Sequence, residues 1–394
     1  MNIFVLFGIT GDLAKNRVIP ALKKVSMSGD FVFIGAGRKP TPIDEFKTLP
    51  NNTYISGDLS DQKIYKKIAD QVEKVIKKHK SGLGPINLIL YSSLPPSLHT
   101  IVAENFSQNI KKVAGKYLKR PIQVLVEKPI GNSLEDAKKA INDFSRLESR
   151  GFEVKFVDHY LAKESLINIE QLFASNPKVL EALLPAQEIR EIKAVIYEKE
   201  GIKDRGVFYD KIGALYDVGQ NHLLQILSVF GVILNSGAKI SHKSKLSFLK
   251  NLQIQGSPVF WQYKGYTEEK NIPKDSTTET FFSATFKLKN QKHNILYSMA
   301  SGKALDMDKS GVEVHFHDNK PSIFIDLKNS SKDAYEIIFE NSIKSDAGAT
   351  PSLSIPMFAT EEEVIESWKI VERLKKLKTK ANLVVYKKLH DILG

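Results

Sequence analysis

Two glycines set three positions apart, Gly8 and Gly11, lie in the stretch "FVLFGITGDLAK" (residues 4–15), between a short apolar run and a helical pattern. In the first crossover of a parallel sheet, such glycines let the backbone approach a pyrophosphate, which the free N–H groups of the helix then bind. The usual spacing of dinucleotide sites, G-x-G-x-x-G, is absent, and Asp12 follows at once. Its carboxylate is of the type that caps a helix. The turn alone fits either a nucleotide cradle or a tight turn without a ligand.

The second strand pattern, at residues 31–34, leads into the stretch "FIGAGRKP", which contains Arg38 and Lys39. Sites that bind NAD usually carry an acid about 20 residues after the glycine turn, where it holds the ribose 2′-hydroxyl. Two cations stand here instead, and they suit a 2′-phosphate. The pair indicates NADP, with NAD as the weaker alternative; the competing interpretation is two solvated cations in a loop.

The elements that would position these residues alternate between strand and helix over the first part of the chain. The alternation predicts a doubly wound, Rossmann-type parallel sheet covered on both faces, and we assign it to a dinucleotide-binding domain over residues 1–157. Ser133 is the expected N-cap of the last helix. The strands are predicted at residues 3–7, 31–34, 86–91 and 122–126, and the helices at residues 12–25, 61–80, 97–114 and 133–148.

After residue 163 the pattern changes to alternating apolar and polar residues with few helices between them. This predicts an α+β domain over residues 158–394 that contains a large, mainly antiparallel sheet. Its strands are predicted at residues 188–197, 259–266, 280–289, 294–300, 312–317 and 322–327, and its helices at residues 164–173, 213–231 and 361–378.

Composition narrows the class of protein. The 394 residues contain no cysteine, which excludes disulfides, thiolate catalysis and cysteine-ligated zinc. No cluster has the spacing of metal ligands, so we expect no metal. No run of eighteen apolar residues occurs, and the first residues lack the basic segment of a signal peptide, so we expect a cytoplasmic protein without membrane contact.

The net charge of +12 and a pI of about 9.3 favour anionic partners. The lysines are dispersed, however, and recur in the amphipathic stretches 66–80 and 371–388, where they read as solvated helix faces. No recognised aromatic–basic motif for nucleic acid is present, so we expect no nucleic-acid partner.

Seven segments of the chain carry a joint resemblance: "FGITGDLAKNRVIPAL" (7–22), "LPPSLH" (94–99), "VEKPIGNSLEDA" (126–137), "VDHYLAKESLIN" (157–168), "YDVGQNHLLQIL" (216–227), "WQYKGYTEEKNIPKDSTTETF" (261–281) and "SGKALD" (301–306). Taken together and in order, they resemble the glucose-6-phosphate dehydrogenase family from Phe7 to about Asp306. This family's start has the form G-x-x-G-D-L, so the opening turn resembles that form of phosphate cradle rather than a damaged G-x-G-x-x-G turn.

The resemblance implies an enzyme that oxidises D-glucose 6-phosphate to 6-phospho-D-glucono-1,5-lactone. Hydride passes from C1 to NADP in the first oxidative step of the pentose phosphate pathway. It also implies a homodimer or homotetramer, with the second domain serving substrate binding and oligomerisation. Two alternatives stay open: the same mechanism on another sugar phosphate or with NAD, and a non-catalytic structural relative.

The resemblance also implies residue roles. His222 corresponds to the base that takes the C1 hydroxyl proton, and Asp158, 64 residues away, to the carboxylate that orients it. Lys128 would approach both cofactor and substrate, and Pro129 is expected to be cis. The remaining substrate residues are His159, Tyr160 and Lys163 for the phosphate, and Glu198, Asp217 and Lys303 for the sugar. The cofactor residues are Gly8, Thr10, Gly11, Asp12, Leu13, Arg38, Lys39, Leu94, Pro95 and Lys128.

Some positions depart from the family pattern. Phe156 stands where the family has an arginine, Ala162 where it has a glycine, and Asp308, with Lys309 beside it, where it has a basic residue. The family's C-terminal Y-x-x-G-S-x-G-P stretch has no counterpart. These departures bear on affinity, on the exact sugar and on subunit contacts.

Overall fold

A computed structural model describes residues 1–79, 86–118, 121–169, 186–236, 239–289, 293–318, 320–344, 356–378 and 383–387, together with a few single residues between these ranges. The chain divides into two compact units. The first unit comprises Met1–Ala162, Lys332–Ser352 and Met357–Ala359. The second comprises Lys163–Ser331, Leu353–Pro356 and Thr360–Gly394.

The first unit is built on a seven-stranded sheet in the order β14-β6-β5-β4-β1-β2-β3. All neighbours pair in parallel except β14 with β6. The inner strands are almost continuously apolar because helices cover both faces of the sheet. The predicted doubly wound fold is confirmed. The strands are β1 (Asn2–Phe7), β2 (Phe31–Gly37), β3 (Asn52–Ser56), β4 (Asn87–Ser92), β5 (Ile122–Glu127), β6 (Phe152–Val157) and β14 (Phe358–Ala359).

The order of strands reverses beside β1, since β2 and β4 flank it. In open parallel sheets, ligands bind outside the carboxyl ends of the strands at such a point. The glycine turn follows β1 directly at this edge. The helices of the unit are a π-helical turn Ala14–Val18 that continues as Ile19–Val25, then Asp44–Lys47, Gln62–His79, Pro96–Tyr117, Leu134–Glu148 and Ala334–Lys344.

Two local predictions about helix ends have different outcomes. The Ser133 hydroxyl accepts a 3.1 Å hydrogen bond from the Asp136 amide, which confirms the predicted cap. The expected cap by Asp12 is wrong: in the described structure its exposed carboxylate accepts no hydrogen bond, and the Lys15 amide donates to the Gly11 carbonyl instead. Strand β3 was not predicted because its five residues are half-exposed and form no apolar run.

The chain returns to the first unit after residue 331, although the sequence division placed that segment in the second domain. Helix Ala334–Lys344 packs the Phe339 ring edge-on against Phe4 and Tyr91, at 5.8 and 5.4 Å between centroids. Glu336 of the same helix pairs with Lys24 at 2.6 Å. A boundary drawn where the strand–helix alternation stops cannot detect such a return.

The second unit contains an eight-stranded sheet in the order β13-β12-β7-β11-β10-β9-β15, with β8 beside β10. Only β7–β11 and β9–β15 pair in parallel, so the predicted mainly antiparallel sheet is confirmed. The strands are β7 (Ile189–Tyr197), β8 (Leu252–Ile254), β9 (Val259–Tyr263), β10 (Phe281–Leu288), β11 (Leu296–Gly302), β12 (Lys309–Phe316), β13 (Ile323–Asp326) and β15 (Leu383–Tyr386).

The main helices of this unit lie between and after these strands. The predicted helix at residues 164–173 is seen from Glu164 to Ile167, and positions 170 and 172–173 lie outside the described residues. The predicted helix at residues 213–231 is three consecutive segments with different geometry. Among the described residues, the helices of four or more residues are Glu164–Ile167, Gly206–Ala214, the π-helical Leu215–Leu223, Leu224–Ser236, His242–Asn251 and Glu361–Lys376.

None of the helices in the described ranges is long and apolar enough to cross a membrane.

Candidate active site

A cavity of about 360 Å³ lies in the first unit where β1, β2 and β4 end. Six of the residues predicted to bind the cofactor line it, whereas Asp12, Leu13, Lys39 and Lys128 are not part of its described lining. The lining residues are Gly8, Thr10, Gly11, Gly37, Arg38, Asp58, Leu59, Ser60, Ser93, Leu94, Pro95 and Leu98.

The glycine at the start of the turn has a steric reason. Gly8 has φ +82°, a left-handed conformation, and a Cβ there would lie 2.3 Å from the Ser93 carbonyl oxygen. The Ser93 amide in turn donates to the Phe7 carbonyl at 3.2 Å. The backbone after β1 is therefore held close to the backbone after β4, and only glycine fits at position 8. These features fit a dinucleotide phosphate cradle.

An acid that the sequence analysis did not single out, Asp58, lines the same cavity as Arg38. It follows the unpredicted strand β3, so the local pattern gave no reason to place it here. Hydrogen bonds from Ser60, with a smaller contribution from the charge of Arg38, hold the pKa of the Asp58 carboxyl below its usual range. The cavity therefore presents one cation and one ionised carboxylate at neutral pH.

The predicted phosphate residues His159 and Tyr160 lie immediately after β6, with their ring centroids 5.1 Å apart. The Asp158 carboxylate accepts a 3.0 Å hydrogen bond from the Tyr160 amide, which fixes the turn. Asp158 is buried, whereas the two rings are half-buried.

The motif after β5 has the expected backbone, because Lys128–Pro129 is a cis peptide. The residue before it, Glu127, is 2% exposed, and the Tyr91 hydroxyl donates to its Oε1 at 2.6 Å. Burial raises the pKa of Glu127 to about 7, against the opposing effect of Tyr91 and Lys128. Glu127 lies in the segment "VEKPIGNSLEDA" (126–137), whose residue types alone indicate no role for its carboxylate.

His222 and Asp217 lie five residues apart in the π-helical segment Leu215–Leu223, and all nine residues of this segment are buried. A π-helix forms i→i+5 hydrogen bonds and occurs mostly at functional sites. The Asn221 side chain hydrogen-bonds two backbone groups of this segment. Its Nδ2 donates to the Asp217 carbonyl at 3.2 Å, and its Oδ1 accepts from the backbone N–H of His222 at 2.7 Å. Asn221 therefore stabilises the local geometry around His222.

The start of the π-helical segment is anchored by Glu279. Gly213, with φ +66°, kinks the chain, and a Cβ there would lie 2.3 Å from Glu279 Oε1. That oxygen accepts from the Leu215 amide at 3.2 Å, and the Lys378 ammonium pairs with the other carboxylate oxygen. Only glycine fits both the conformation and the close approach.

The three residues predicted to bind the sugar are close together in the second unit. The Lys303 ammonium pairs with Glu198 and lies 3.9 Å from Asp217 Oδ2. Arg205, which the sequence analysis missed, donates to Asp217 Oδ1 at 3.2 Å. Lys303 also lies 5.6 Å from the centre of the Tyr209 ring. The result is a charged cluster of alternating sign beside the π-helix, able to hydrogen-bond several hydroxyl groups.

Lys163 stands at the N-cap of helix Glu164–Ile167, and its ammonium donates to the Leu327 carbonyl at 2.8 Å. The second unit thus fixes the direction of this side chain. Asp158 belongs to the first unit and His222 to the second, so their pairing stays a prediction.

Comparison with known proteins identifies the family. The family model "Glucose-6-phosphate dehydrogenase, NAD binding domain" matches residues 42–168, and the model of the C-terminal domain matches residues 172–348. A curated glucose-6-phosphate 1-dehydrogenase from Helicobacter pylori is 30% identical over 339 residues, which cover 79% of this chain and 75% of the relative. The chain belongs to the glucose-6-phosphate dehydrogenase family. The resemblance seen in the motifs is thereby confirmed.

Other members of the glucose-6-phosphate dehydrogenase family agree with this assignment. The glucose-6-phosphate 1-dehydrogenase of Dictyostelium discoideum is 28% identical over 354 residues, covering 82% of this chain and 69% of the relative. A solved glucose-6-phosphate dehydrogenase in complex with glucose 6-phosphate superposes with a TM-score of 0.78 over 98% of this chain and 94% of that one, at 22% identity. The Mycobacterium avium enzyme gives a TM-score of 0.75 with the same coverage and 24% identity.

Family membership makes this chain a dehydrogenase that acts on a CH–OH group and takes a nicotinamide cofactor. The match to the NAD-binding model begins at residue 42, so the glycine turn lies before it. The geometry of Gly8 and the cavity around it therefore support the cradle independently of that match.

Proposed function

We propose that this chain oxidises D-glucose 6-phosphate to 6-phospho-D-glucono-1,5-lactone, with NADP as the hydride acceptor. The observation that carries the proposal is the cluster of Glu198, Asp217 and Lys303 beside the π-helix of His222, in a chain whose curated relatives are glucose-6-phosphate dehydrogenases. Burying charged side chains is costly unless they are paired or have a function. Asp217, His222 and Lys303 are each at most 8% exposed.

His222 is the proposed base. Its imidazole removes the proton of the C1 hydroxyl as hydride departs from C1, which turns the hemiacetal into a lactone. The bound nicotinamide supplies the hydride-accepting chemistry. Asp158 is the proposed partner that selects the imidazole tautomer and stabilises the imidazolium. Glu198, Asp217 and Lys303 hold the sugar hydroxyls, so that C1 has one orientation.

His159, Tyr160 and Lys163 are proposed to bind the 6-phosphate. A ring N–H, a phenol and an ammonium can all donate to phosphate oxygens, and the ammonium complements the phosphate charge. Selection of a phosphorylated sugar over the free sugar follows from these donors, because the free sugar lacks the anionic oxygens that accept from them.

Arg38 and Lys39 are proposed to select NADP through its 2′-phosphate. Arg38 lines the cavity, while Lys39 is exposed, and its carbonyl accepts from the Tyr54 hydroxyl at 2.7 Å. Asp58 supports the second candidate, use of NAD, because a carboxylate in the same cavity repels a 2′-phosphate and can accept from a hydroxyl. We therefore expect NADP to be preferred, with measurable activity towards NAD.

A homodimer or homotetramer is proposed as the functional assembly. The outer strands of the second unit's sheet expose large apolar side chains, with Phe324 on β13 at 40% and Val385 on β15 at 61%. Sedimentation velocity over a range of protein concentrations tests this, and a monomer at all concentrations would contradict it.

An absorbance assay for NADPH across a small panel of sugar phosphates, with free glucose included, tests the function. We expect the highest kcat/KM with glucose 6-phosphate, and a folded His222→Asn variant serves as the catalytic control. Higher activity with another sugar phosphate would reassign the substrate, and no turnover with any of them would favour a non-catalytic relative.

A further inference from the structure

A set of buried hydroxyl and carboxyl groups connects the interior of the first unit to His159. The Tyr335 hydroxyl lies 3.5 Å from His159 Nδ1, and the two rings stack with centroids 5.7 Å apart at 27°. Tyr335 also interacts with Glu127, which accepts the 2.6 Å hydrogen bond from Tyr91. Tyr335 therefore lies between a buried carboxyl and a side chain assigned to the substrate phosphate.

Burial makes Glu127 able to hold a proton at neutral pH. Burial raises its pKa to about 7, while Tyr91, Lys128 and Tyr335 oppose the shift and Asp158 adds to it. Burial raises the pKa of Tyr335 well above its usual value, so the phenol keeps its proton. The charged residues acting on Tyr335 are Glu127, Arg17 and Asp158.

Neither the proposed base nor the sugar-binding cluster uses Glu127, Tyr91 or Tyr335. A carboxyl held in the interior is costly, and such groups concentrate at functional sites. The alternative is a structural carboxyl satisfied by Tyr91. The contact between Tyr335 and His159 argues for a further role, because the half-buried His159 lies just after β6, at the edge of the sheet where the parallel strands end.

We propose that Glu127 and Tyr335 form a proton relay that positions His159 and supplies it with a proton when a phosphate dianion binds. The inference rests on the proposed function, since it takes His159 as a ligand of the 6-phosphate. Glu127, Tyr91 and Tyr335 are positioning residues in this scheme, and none of them touches the substrate.

The relay has two states with the same number of protons. In one, the Glu127 carboxyl is protonated and donates towards the Tyr335 oxygen, whose own proton points to Nδ1 of a neutral His159. In the other, the Glu127 proton has passed to the Tyr335 oxygen, and the former Tyr335 proton is bonded to Nδ1. Glu127 is then a carboxylate and His159 an imidazolium, with no gain or loss of electrons.

A bound dianion favours the second state because the imidazolium donates from Nε2 with a full positive charge. Long hydrogen bonds in a ligand-free site commonly shorten in the complex, as the 3.5 Å contact would have to do. Because the proton comes from Glu127, the protein needs few protons from solvent when it binds its substrate near neutral pH.

Calorimetric titration of the full chain with glucose 6-phosphate tests the relay. The titration is run at neutral pH in two phosphate-free buffers of different ionisation enthalpy, which gives the number of protons taken up per ligand. Tyr335→Phe removes one oxygen and keeps the stacked ring, and Glu127→Gln keeps the size of the side chain. Tyr297→Phe is the control, since Tyr297 is a buried phenol in the second unit that packs on Phe248 at 5.1 Å.

We expect both relay variants to bind glucose 6-phosphate roughly 10- to 100-fold more weakly. The loss should grow as the pH rises towards neutral and level off above it, because Glu127 is then ionised in the wild type as well. We also expect them to take up more protons from solvent than the wild type. Tyr297→Phe should match the wild type in both respects.

Two outcomes would overturn the relay alone: unchanged affinity and proton uptake in a folded Tyr335→Phe protein, or weaker binding that is the same at every pH with unchanged proton uptake. In both cases the wild type still binds and oxidises glucose 6-phosphate. Failure of the wild type itself to bind glucose 6-phosphate would reject the proposed function, and the relay with it.

Discussion

The guanidinium of Arg205 donates a 3.2 Å hydrogen bond to the nearly buried carboxylate of Asp217. The charge of Asp217 raises the pKa of Arg205, because the carboxylate stabilises the guanidinium. Lys303 approaches the other oxygen of the same carboxylate at 3.9 Å. Asp217 is therefore fixed from two sides, one π-helical turn from His222.

Replacement of Arg205 tests whether this ion pair orients a sugar-binding carboxylate. In Arg205→Ala we expect KM for glucose 6-phosphate to rise about 10-fold, because a charge-assisted hydrogen bond is lost. We expect a smaller change in kcat, because His222 is untouched. Lys203→Ala is the control, since Lys203 pairs with Glu200 at 2.7 Å and both side chains are exposed. Equal effects of the two replacements would mean that Arg205 acts only through net charge.

The cofactor preference is tested at Arg38 and Lys39. Replacing both by neutral residues should raise KM for NADP by about 10-fold or more and leave KM for NAD nearly unchanged, because only NADP carries the 2′-phosphate. Asp58→Asn should shift the ratio of kcat/KM values towards NADP, since it removes a carboxylate from the same cavity. Steady-state kinetics with both cofactors measures these ratios. Equal losses with NADP and NAD would show that the basic pair does not read the 2′-phosphate.

The phosphate site is tested at Lys163. In Lys163→Ala we expect kcat/KM for glucose 6-phosphate to fall roughly 10- to 100-fold and the low activity with free glucose to change little. Lys320→Ala is a matched control, because this exposed lysine of the second unit pairs with Glu188. A matching loss with free glucose would instead point to the bond between Lys163 and the Leu327 carbonyl as a structural contact.

The base is tested by His222→Asn, which keeps a similar volume and a hydrogen-bonding group. General-base catalysis contributes typically 10²–10⁴-fold, so we expect kcat to fall by about that factor with substrate binding retained. The wild-type kcat/KM should decline at acid pH, because an imidazolium cannot accept the C1 hydroxyl proton. Asp158→Asn should also reduce kcat, and the double variant should lose much less than the product of the single losses. Near-normal kcat in folded His222→Asn would remove His222 from the mechanism.

A buried ion pair in the second unit predicts a pH-dependent stability. Lys245 and Glu363 are both fully buried, with Nζ and Oε2 3.2 Å apart. Burial acts to raise the pKa of Glu363, but hydrogen bonding to His242 and the charge of Lys245 outweigh it and leave the pKa below its usual value. Because the folded-state pKa is lowered, this stabilisation is complete above the unfolded-state value and is lost as the pH falls towards the folded-state value.

Removal of one partner of this pair should be strongly destabilising. We expect Lys245→Met to lower the free energy of unfolding by about 3–5 kcal/mol at neutral pH, because it leaves an uncompensated buried carboxylate. Denaturant unfolding measures the change. Lys344→Met is the control, since the pair of Lys344 with Glu340 at 3.6 Å is largely exposed. A loss no larger than that of the control would contradict the buried-pair account.

Much of the local structure follows from neighbouring residues alone. The apolar runs of β1, β4 and β5 predict buried parallel strands, and Ser133 predicts the start of the helix after β5. The resemblance of the segment around Pro129 to the family motif likewise implies the cis peptide that the structure contains. Each of these features depends on residues within a few positions of one another, so the sequence displays it directly.

The candidate site is different, because several of its residues are defined by partners far away in the chain. Asp58 reaches the cofactor cavity after a strand with no apolar run, and Arg205 meets Asp217 across a glycine kink at Gly213. Neither position belongs to a recognisable pattern. Their significance comes from the charge placed beside them by the fold.

The sequence by itself determined the family, the two kinds of sheet and the side chains proposed for the chemistry, because these depend on motifs and on periods of two and 3.6 residues. Tertiary structure alone decided that helix Ala334–Lys344 returns to the first unit and brings Tyr335 to His159, 176 positions earlier. The burial of Phe339 against Phe4 and Tyr91 holds that helix in place. Sequence periods show which face of an element is buried, but burial of apolar surface is not directional. Only the folded chain therefore shows which distant element covers that face.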